Sequence, residues 1–488
     1  MITEIVCFVA TALVILVTVV VVRALRIRPV KVSRPPPEPH GIDLDEAIRG
    51  LQTIIRIPTV SHKDIKLVDI DKFKELRATL EKLFPNIYRV CEVNKFPTAL
   101  LYHWKADKPS DIEPVLLMSH IDTVPPGDLS LWEHDPFSGD IVDGELWGRG
   151  TIDTKTTAFS LLFAIETAIR QHRTPKMDVY ILIGHDEEVQ GKGIFSTIDY
   201  LKEHNVHLSL TFDEGGAVYQ NVPVLNSPAV FIGIAEKGYC DLKITTRGTG
   251  GHASMPPDHT ALGILARAIT TSEAHLYEPK VPEALSRTLD ALAPHLPFSQ
   301  KIICANLWLF GEIGARMCVE RLPQVSPFRA MMRTTIAWTT AAAADQANVL
   351  PKEATATANL RLLAPETPET AKKRMEEVLE GQDAEVSIVS GYNPDPVSNS
   401  WGWQWDAFVE TSRDVWGDNT VVAPFLLVGS TDSSCVARAG LCNHVYRLYP
   451  FSYNLKLVHN INERIPVKSA KQCIEFYVRL VRRLTADN

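Results

Sequence analysis

Three short apolar runs, each ending in acidic residues or histidine, constrain the fold of this chain more than any other feature. Residues 115–119, 179–184 and 208–212 carry no charge, and they lead into H-I-D, H-D-E-E and D-E-G-G respectively. Continuous apolar runs of this length are typical of strands buried on both faces of a sheet. Helically spaced apolar residues fill residues 157–172 and 194–204 between them. The sequence therefore predicts a β-α-β-α-β series and an α/β fold.

Acidic and histidine side chains follow these runs at the point where each predicted strand ends. They are His120 and Asp122, Glu187 and Glu188, and Asp213. Ligands of α/β sheets bind beyond the carboxyl ends of the strands. A single acid after a strand is usually a turn or cap residue, whereas three successive strands with this ending favour a functional site.

Two further segments add candidate residues. The glycine-rich turn G-R-G-T-I-D-T-K at residues 148–155 places Asp153 just before a predicted helix. A carboxylate there also suits the helix dipole, so helix capping is the alternative role. As a phosphate-binding loop the turn is a weak match, because the rest of that fingerprint is missing. Near the other end, V-H-N-I-N-E-R supplies His459, for which a purely structural role is the alternative.

The candidate site holds five carboxylates, those of Asp122, Asp153, Glu187, Glu188 and Asp213. Without a counter-charge they would repel one another and would not stay ionised in a dry cleft. A divalent metal removes this difficulty, and a mixture of imidazole and carboxylate ligands suits zinc. Residues two apart in an extended chain face the same way, so Asp122 is predicted to orient His120 as a metal ligand.

Composition excludes several classes of protein. Lysine and arginine number 50 against 58 aspartates and glutamates, a net charge of −8 that disfavours a nucleic-acid binder. A mean hydropathy of −0.02 excludes a polytopic membrane protein. The eight cysteines are scattered and form no C-x-x-C pair, which predicts buried thiols rather than a disulfide scaffold or a cysteine zinc site.

The N-terminus is the one strongly apolar region. Residues 5–22 are uncharged and are followed by five basic residues before residue 35. As a helix this run is about 27 Å long, just enough to cross a bilayer. An uncleaved single-pass anchor is favoured over a signal peptide, whose positive charge precedes the apolar run, and over a buried core helix. The positive-inside rule would keep the following domain in the cytoplasm, but large domains are also translocated, so the side is left open.

Five motifs together resemble the M20 metallopeptidase family, and within it the carboxypeptidase S and PM20D1 (N-fatty-acyl-amino-acid synthase/hydrolase) branch. They read S-H-I-D-T-V-P-P, W-G-R-G-T-I-D-T-K, G-H-D-E-E, D-E-G-G and V-H-N-I-N-E-R-I. The resemblance runs from about residue 54 to the C-terminus and leaves out the apolar N-terminus. It implies a zinc-peptidase-type mixed sheet flanked by helices, with an inserted α+β lid or dimerisation domain.

The resemblance also implies a role for each candidate residue. His120 and Asp213 would hold one zinc ion, Glu188 and His459 the other, and Asp153 would bridge them; manganese or cobalt are substitutes. Glu187 would be the general base, with Asp122 beside the ligands. Two positions depart from the family pattern, namely Thr154, where relatives are often acidic, and Ser434, where they often carry arginine.

The domain boundaries expected from these motifs are as follows. Residues 1–28 form the anchor, 29–42 a proline-rich linker, 43–236 the first part of the catalytic domain, 237–353 the lid, and 354–488 the second catalytic part. His252, in G-T-G-G-H-A-S-M-P, matches the lid histidine that stabilises the oxyanion, often across a dimer interface; an ordinary loop histidine is the alternative. Arg361 and Asn348 are candidates for binding a substrate carboxylate, and a surface salt bridge is the alternative for Arg361.

The predicted reaction is hydrolysis of an amide bond next to a free carboxylate, in a peptide or an N-acyl amino acid. Reverse synthesis of N-fatty-acyl amino acids follows from the resemblance alone. Apolar lid residues between 307 and 332 would line an acyl-chain groove, or else a domain core or dimer interface. Two alternatives stay open: a Gly-X carboxypeptidase or dipeptidase without acyl preference, and a non-catalytic membrane-tethered metal-binding protein. The expected partners are the substrate, the membrane and a second copy of the chain, with no nucleic acid.

Overall fold

The computed structural model describes residues 2–29, 34, 41–108, 110–222, 224–324 and 326–487. The chain divides into two compact units. One, the large-sheet unit, comprises Pro29–Ile234, Pro396–Phe425 and Thr431–Asn488. The other, the small-sheet unit, comprises Met1–Arg28, Ala235–Asp395 and Leu426–Ser430.

The strands and helices are numbered in chain order. The strands are β1 Glu92–Phe96, β2 Ala99–Trp104, β3 Val115–His120, β4 Ile141–Val142, β5 Glu145–Trp147, β6 Arg173–Pro175, β7 Val179–Gly184, β8 Leu210–Asp213, β9 Ala217–Val222, β10 Ser227–Glu236, β11 Gly238–Arg247, β12 Gly251–His252, β13 Thr335–Ala342, β14 Val349–Leu350, β15 Glu353–Leu362, β16 Ala384–Tyr392, β17 Val421–Leu427, β18 Val445–Arg447, β19 Arg464–Pro466 and β20 Thr485–Asp487. The helices are α1 Ile2–Arg26, α2 Leu44–Ile55, α3 Ile70–Leu83, α4 Pro85–Val90, α5 Lys155–Arg170, α6 Gly193–Glu203, α7 Ala261–Ala274, α8 Glu283–Leu292, α9 Phe298–Cys304, α10 Leu307–Arg321, α11 Pro327–Met331, α12 Pro368–Val378, α13 Trp403–Trp416, α14 Ser433–Arg438 and α15 Val467–Leu484.

The main sheet of the large-sheet unit is mixed. Its strand order is β1-β2-β7-β3-β8-β18-β10-β17, and β9 pairs with β10. Strand β3 runs parallel to both β7 and β8, whereas β2 is antiparallel to β7. The three predicted strands are therefore neighbours at the centre of the sheet, and every residue of β3, β7 and β8 is buried. This confirms the predicted α/β fold with a mixed sheet flanked by helices.

Helices cover the main sheet and complete its core. Helices α5 and α6 occupy the two predicted helical stretches, and α15 packs on α5. In the core, the Phe212 ring of β8 lies 4.7 Å from the Phe408 ring of α13 and 5.5 Å from the Tyr477 ring of α15. The C-terminal helix thus belongs to the same core as the central strands.

The small-sheet unit is built on an antiparallel sheet of order β13-β15-β11-β16. Every second residue of β15, from Ala354 to Leu362, is buried, because successive side chains of a strand point to opposite faces. Helices α7 and α12 pack on this sheet. Strand β15 pairs with β11 over its whole length, so this unit continues to Asp395. The boundary expected at residue 354 falls inside β15.

Helix α1 is long and apolar enough to cross a membrane. All of its described residues before Val20 are exposed, while Val20 and Ala24 are buried. A helix of this kind near an N-terminus is typical of both a membrane anchor and a signal sequence. Of the predicted linker at 29–42, residues 30–33 and 35–40 lie outside the described residues.

Candidate metal centre

The candidate residues of the large-sheet unit meet at the carboxyl ends of its central strands. Strand β3 ends at His120, β8 ends at Asp213, and the turn after β7 carries Glu187 and Glu188. Asp153 lies two residues before the start of α5. Because β7, β3 and β8 are adjacent and parallel, their ends open on one edge of the sheet, as the sequence predicts.

Asp153 lies between two histidines and offers each a different oxygen. Its Oδ1 is 3.2 Å from Nε2 of His120, and its Oδ2 is 2.9 Å from Nε2 of His459. His459 Nε2 also lies 3.1 Å from Oε2 of Glu188. The backbone of His459 has a φ of 58°, a left-handed conformation that is uncommon for histidine and that is enriched at functional sites. The two oxygens of one carboxylate are thus each within ion-pair distance of a different imidazole.

Two groups of potential ligand atoms share His120. Within each group, the atoms lie no more than 4.8 Å apart. One group is His120, Glu187 and Glu214, and the other is His120, Asp153 and Glu188.

Glu214, rather than Asp213, presents its carboxylate to His120. Oε1 of Glu214 is 3.2 Å from His120 Nε2, whereas Oδ2 of Asp213 accepts a 2.9 Å hydrogen bond from the N–H of Ser433. Successive residues at the end of a strand point in different directions, and of the two acids of D-E-G-G it is Glu214 that lies within ion-pair distance of His120. The sequence analysis singled out Asp213 and missed Glu214; the motif contains both and does not show which one turns inward.

Asp122 supports the candidate ligands through contacts with several of them. It is fully buried, its Oδ1 lies 3.2 Å from Nδ1 of His120, and its carboxylate accepts the N–H groups of Glu187 and Glu188. One carboxylate therefore orients the histidine and also fixes the turn that carries both glutamates.

Burial and crowding raise the pKa values of the glutamates of the site. Burial, together with the Asp153 charge, raises the pKa of Glu188 to about 7, and burial raises that of Glu214 to about 8. Hydrogen bonds to Asp153 and Glu188 raise the pKa of His459 to about 10. The ligand set thus carries more negative charge than its two imidazoles balance. Bound divalent cations would supply the missing positive charge and displace the protons.

Several residues that the sequence analysis did not single out also contribute. Tyr449 donates its hydroxyl to Oδ1 of Asp153 at 3.0 Å. Asp432 is a further acid near the site, and its Oδ2 lies 3.5 Å from the position of a Cβ at Gly184. Burial first, and then the charge of Asp213, raise the pKa of Asp432. Asp432 lies two residues before Ser434, the residue of this segment that the sequence analysis named.

A buried ion pair supports the turn that carries Asp153. Arg149 donates to Oε2 of Glu463 at 2.6 Å, and Oε1 of Glu463 accepts the N–H groups of Gly150 and Ile152. Arg149 and Glu463 are both almost inaccessible to solvent. The segment after His459 thereby fixes the position of Asp153.

Thr154 and Ser434, the two residues that depart from the family pattern, are both buried. Thr154 is fully buried, and its hydroxyl lies 2.5 Å from that of Thr157. Ser434 is also buried, and its hydroxyl contacts the guanidinium of Arg438, one turn further along α14.

The remaining predicted residues belong to the small-sheet unit. His252 is exposed on β12, and its Nδ1 lies 2.8 Å from the hydroxyl of Ser254. Asn348 is exposed and accepts the N–H of Ala253 on its backbone carbonyl. Arg361 lies on β15 with its guanidinium 5.2 Å from the centre of the Tyr239 ring. Its Nη1 is buried and has no hydrogen-bond partner among the residues that the structure describes.

Comparisons with known proteins identify the family of the chain. Residues 116–483 match the model of the peptidase family M20/M25/M40. The chain is 32% identical over 453 residues to the N-fatty-acyl-amino acid synthase/hydrolase PM20D1 of Xenopus tropicalis, which covers 91% of this chain and 86% of that protein. It is 29% identical to carboxypeptidase S of Saccharomyces cerevisiae, over 88% of this chain and 83% of that one.

A solved structure shows the same fold. The M20 family metallo-carboxypeptidase Sso-CP2 from Sulfolobus solfataricus superposes with a TM-score of 0.68 at 17% identity. The alignment covers 91% of this chain and 99% of that chain. The resemblance drawn from the motifs is therefore confirmed, and the chain belongs to the peptidase family M20/M25/M40 as a hydrolase.

Proposed function

We propose that this protein is a metal-dependent amidohydrolase that cleaves the amide bond next to a free carboxylate, in peptides or N-acyl amino acids. The observation that carries the proposal is the carboxylate of Asp153, which faces His120 at 3.2 Å and His459 at 2.9 Å. A carboxylate that contacts two histidines, in a site with more acids than histidines, suits a pair of divalent ions. Zinc fits this mixture of imidazole and carboxylate ligands, and manganese or cobalt would fit it as well.

The residues proposed to hold the two ions are His120, Asp153, Glu188 and His459, with an acid of D-E-G-G. We favour Glu214 over Asp213 for that acid, because Glu214 lies against His120 while Asp213 accepts from the backbone of α14. The metal would supply Lewis acidity, which lowers the pKa of water and polarises the amide carbonyl.

Glu187 is the proposed general base. Its Oε2 lies 3.9 Å from His120 Nε2, and its backbone N–H is held by Asp122. Burial, and then the charges of Glu214 and Asp432, raise the pKa of its carboxyl. A carboxyl with a raised pKa takes a proton from water at neutral pH and returns it to the leaving amine.

The substitution Glu187→Gln tests this role, because glutamine keeps the size of the side chain but does not accept a proton. We expect turnover to fall by ~10²–10⁴, the usual contribution of a general base, while metal content stays at the wild-type level. Hydrolysis assays and elemental analysis of the same preparation measure both quantities. A variant with wild-type turnover would contradict the role of Glu187, and Glu133→Gln, at an acid outside the cluster, is the control.

The small-sheet unit supplies the proposed contacts to substrate. Arg361, with its buried unpaired Nη1, is proposed to bind the substrate carboxylate, and Asn348 to assist it. Burial, followed by the charges of Arg361 and Arg333, lowers the pKa of Lys237 to about 7, which indicates a cluster of cations at this end of the sheet. His252 is proposed from the family pattern to stabilise the oxyanion, and the same pattern suggests a homodimer through this unit.

A second candidate is a carboxypeptidase or dipeptidase without preference for acyl chains, which the 29% identity to carboxypeptidase S supports. Exposed apolar side chains of α9 and α10, among them Ile303, Trp308 and Ile313, favour N-acyl amino acids. Comparing an N-acyl amino acid with a Gly-X dipeptide at equal concentration separates the two. The amidohydrolase is expected to hydrolyse the acyl substrate faster, and to run the reverse condensation when a free fatty acid and an amino acid are supplied. A non-catalytic, membrane-tethered metal-binding protein would bind metal and hydrolyse neither.

We also propose that α1 is retained as a membrane anchor. Its last two turns, from Val20 onward, pack within the small-sheet unit. There Asn306 donates its amide to the carbonyl of Val20 at 3.1 Å, and Arg23 donates to the carbonyl of Ala305 at 3.2 Å. Asn306 is fully buried, so removal of α1 would expose a polar group that is now satisfied. N-terminal sequencing of the membrane fraction tests this proposal, and a mature chain that begins after α1 would refute it.

A further inference from the structure

A cavity of about 800 Å³ lies in the large-sheet unit, outside the set of metal ligands. Its walls come from residues 61–77, from residues 97–98 and from residues 185–196. The third wall is the segment that also carries Glu187 and Glu188. A volume of this size is within the usual range for small-molecule sites.

One side of the cavity is apolar. Phe73 is buried there, and Ile65 and Ile70 keep 65% and 47% of their surface exposed. Val68 and Val189 extend the same surface. Exposed aliphatic side chains gathered around a concave site are typical of a surface that binds an apolar ligand group.

The rest of the lining carries more positive than negative charge. Its cations are Lys63, Lys74, Arg77 and Lys192, and its acid is Asp186. Asp186 already accepts the backbone N–H groups of Lys192 and Gly193. Among these cations, Lys74 forms an ion pair with Asp71. An anion in the cavity would therefore meet excess positive charge.

Arg77 is the cation best placed to bind an anion. It is half-buried, and its Nη2 donates to the carbonyls of Phe96 and Pro97 and lies 2.8 Å from Nδ1 of His185. No carboxylate lies within ion-pair distance of Arg77 in the part of the chain that the structure describes, and its buried Nε has no partner there. The guanidinium is thus held in position but its charge is not neutralised.

His185 adds a second unpaired donor beside Arg77. A guanidinium only donates, so Nδ1 of His185 accepts from Arg77 and the ring hydrogen of the neutral imidazole is on Nε2. This Nε2 is buried and has no partner among the described residues. Two unpaired donors therefore lie next to an apolar wall.

We propose that this cavity binds an amphiphile with an alkyl chain and a carboxylate head. The head would lie at Arg77, since a guanidinium matches a carboxylate in shape and charge, and the chain would lie along Ile65, Ile70 and Phe73. The site is independent of the proposed reaction, because none of the proposed metal ligands takes part in it.

Calorimetric titration of the full-length protein in lipid nanodiscs tests the proposal, with empty nanodiscs as the blank. The probes are octanoate, octanol and acetate. We expect octanoate to bind at least about tenfold more tightly than either of the others, because octanol lacks the charge and acetate lacks the chain. Octanol binding as tightly as octanoate would overturn the proposal.

Matched substitutions distinguish the cavity from any other carboxylate site, including the metal centre. Ile65→Asp and Leu67→Asp alter two residues of one short turn that are 65% and 64% exposed, and only Ile65 lines the cavity. Lys63→Glu and Lys66→Glu form a second pair of exposed residues, of which only Lys63 lines it. We expect about tenfold weaker octanoate binding for Ile65→Asp and Lys63→Glu, and wild-type binding for their controls.

Wild-type binding by both lining variants would place octanoate elsewhere and overturn the proposal. We expect Glu187→Gln to lose hydrolysis and to bind octanoate as the wild type does. Failure of the proposed hydrolysis is therefore distinguishable from failure of the proposed octanoate site.

Discussion

The two units contain buried charge clusters of opposite sign. In the large-sheet unit, the acids around His120 and His459 outnumber the two imidazoles, and burial raises the pKa of Glu188 to about 7. In the small-sheet unit, Arg361 and Arg333 lie near Lys237, whose pKa is lowered to about 7 chiefly by burial. The pKa shifts go in opposite directions for the same reason, since a buried charge among like charges is destabilised. The proposed chemistry would bring an opposite charge to each cluster from outside the chain, metal to the acids and a carboxylate to the cations.

Among the experiments that test this comparison, metal removal is expected to have the largest effect on activity. A chelator should abolish hydrolysis, and zinc should restore it, because the acid cluster would lose its counter-charge. Bound metal should also stabilise the fold, by ~2.7 kcal/mol at a metal concentration one hundred times Kd. Activity assays and thermal unfolding with and without chelator measure these effects. Full activity after exhaustive chelation, checked by elemental analysis, would contradict the proposed role of the acid cluster.

The substitution Glu214→Gln should weaken metal binding by roughly 10- to 100-fold, an effect comparable to loss of a supporting group at a metal site. Asp213→Asn is the matched control, because its amide oxygen still accepts the N–H of Ser433, whereas Glu214 is the acid that lies 3.2 Å from His120. Zinc affinity measured by competition with a chromogenic chelator separates the two acids. The reverse order of effects would make Asp213 the ligand, as the family resemblance suggested.

The substitution Arg361→Ala tests whether the cations Lys237, Arg333 and Arg361 bind the substrate carboxylate. A hydrogen bond to a charged group contributes ~1.5–3 kcal/mol, so we expect KM to rise roughly 10- to 100-fold with kcat less affected. Arg361→Lys should recover part of this loss, because it restores the charge without the fork of N–H groups. Arg247→Ala, at an exposed arginine of the same unit that pairs with Glu385, is the control. An unchanged KM for Arg361→Ala would remove Arg361 from the substrate site.

The smallest expected effect concerns pH. Lys237 has a pKa of about 7 in the folded protein, so it is charged below that pH and loses its charge as the pH rises through 7. Carboxylate substrates should therefore bind more weakly above pH 7, with KM rising by roughly two- to fivefold, since one screened charge contributes ~0.2–1 kcal/mol. KM measured from pH 6 to 9 should lose this dependence in Lys237→Met and retain it in Lys352→Met, an exposed lysine. If the pH dependence of KM persists in Lys237→Met, that dependence arises from another group.

Lys237 also makes the free energy of unfolding depend on pH. The unfolded chain binds its proton up to the ordinary lysine pKa of 10.5, whereas the folded chain releases it near pH 7. Between these values the unfolded state holds more protons, so the contribution of Lys237 to the free energy of unfolding increases with pH.

The sequence was most informative where one physical signal fixes the local structure. Continuous apolar runs predicted β3, β7 and β8, and their polar ends located His120 and Glu188 correctly at one edge of the sheet. The choice between Asp213 and Glu214 was not predictable, because it depends on which side chain turns inward after the last residue of β8. The sheet that β15 joins was not predictable for a similar reason, since the alternating pattern of a strand does not reveal its partner strands. The pairing of Arg149 with Glu463 spans 314 residues, and no local pattern in the sequence indicates it.

The pairing of Arg149 with Glu463 has a consequence for how the protein is made. A ribosome completes the turn that holds Asp153 long before it reaches His459 and Glu463, which follow Asp153 by 306 and 310 residues. Until then the nascent chain carries the acids of the centre with one of its two histidines and without the buried partner of Arg149. The centre is therefore assembled only after a long stretch of further chain has been made. A messenger that ends translation before residue 459 would yield a chain with nearly the whole central sheet and no complete place for metal.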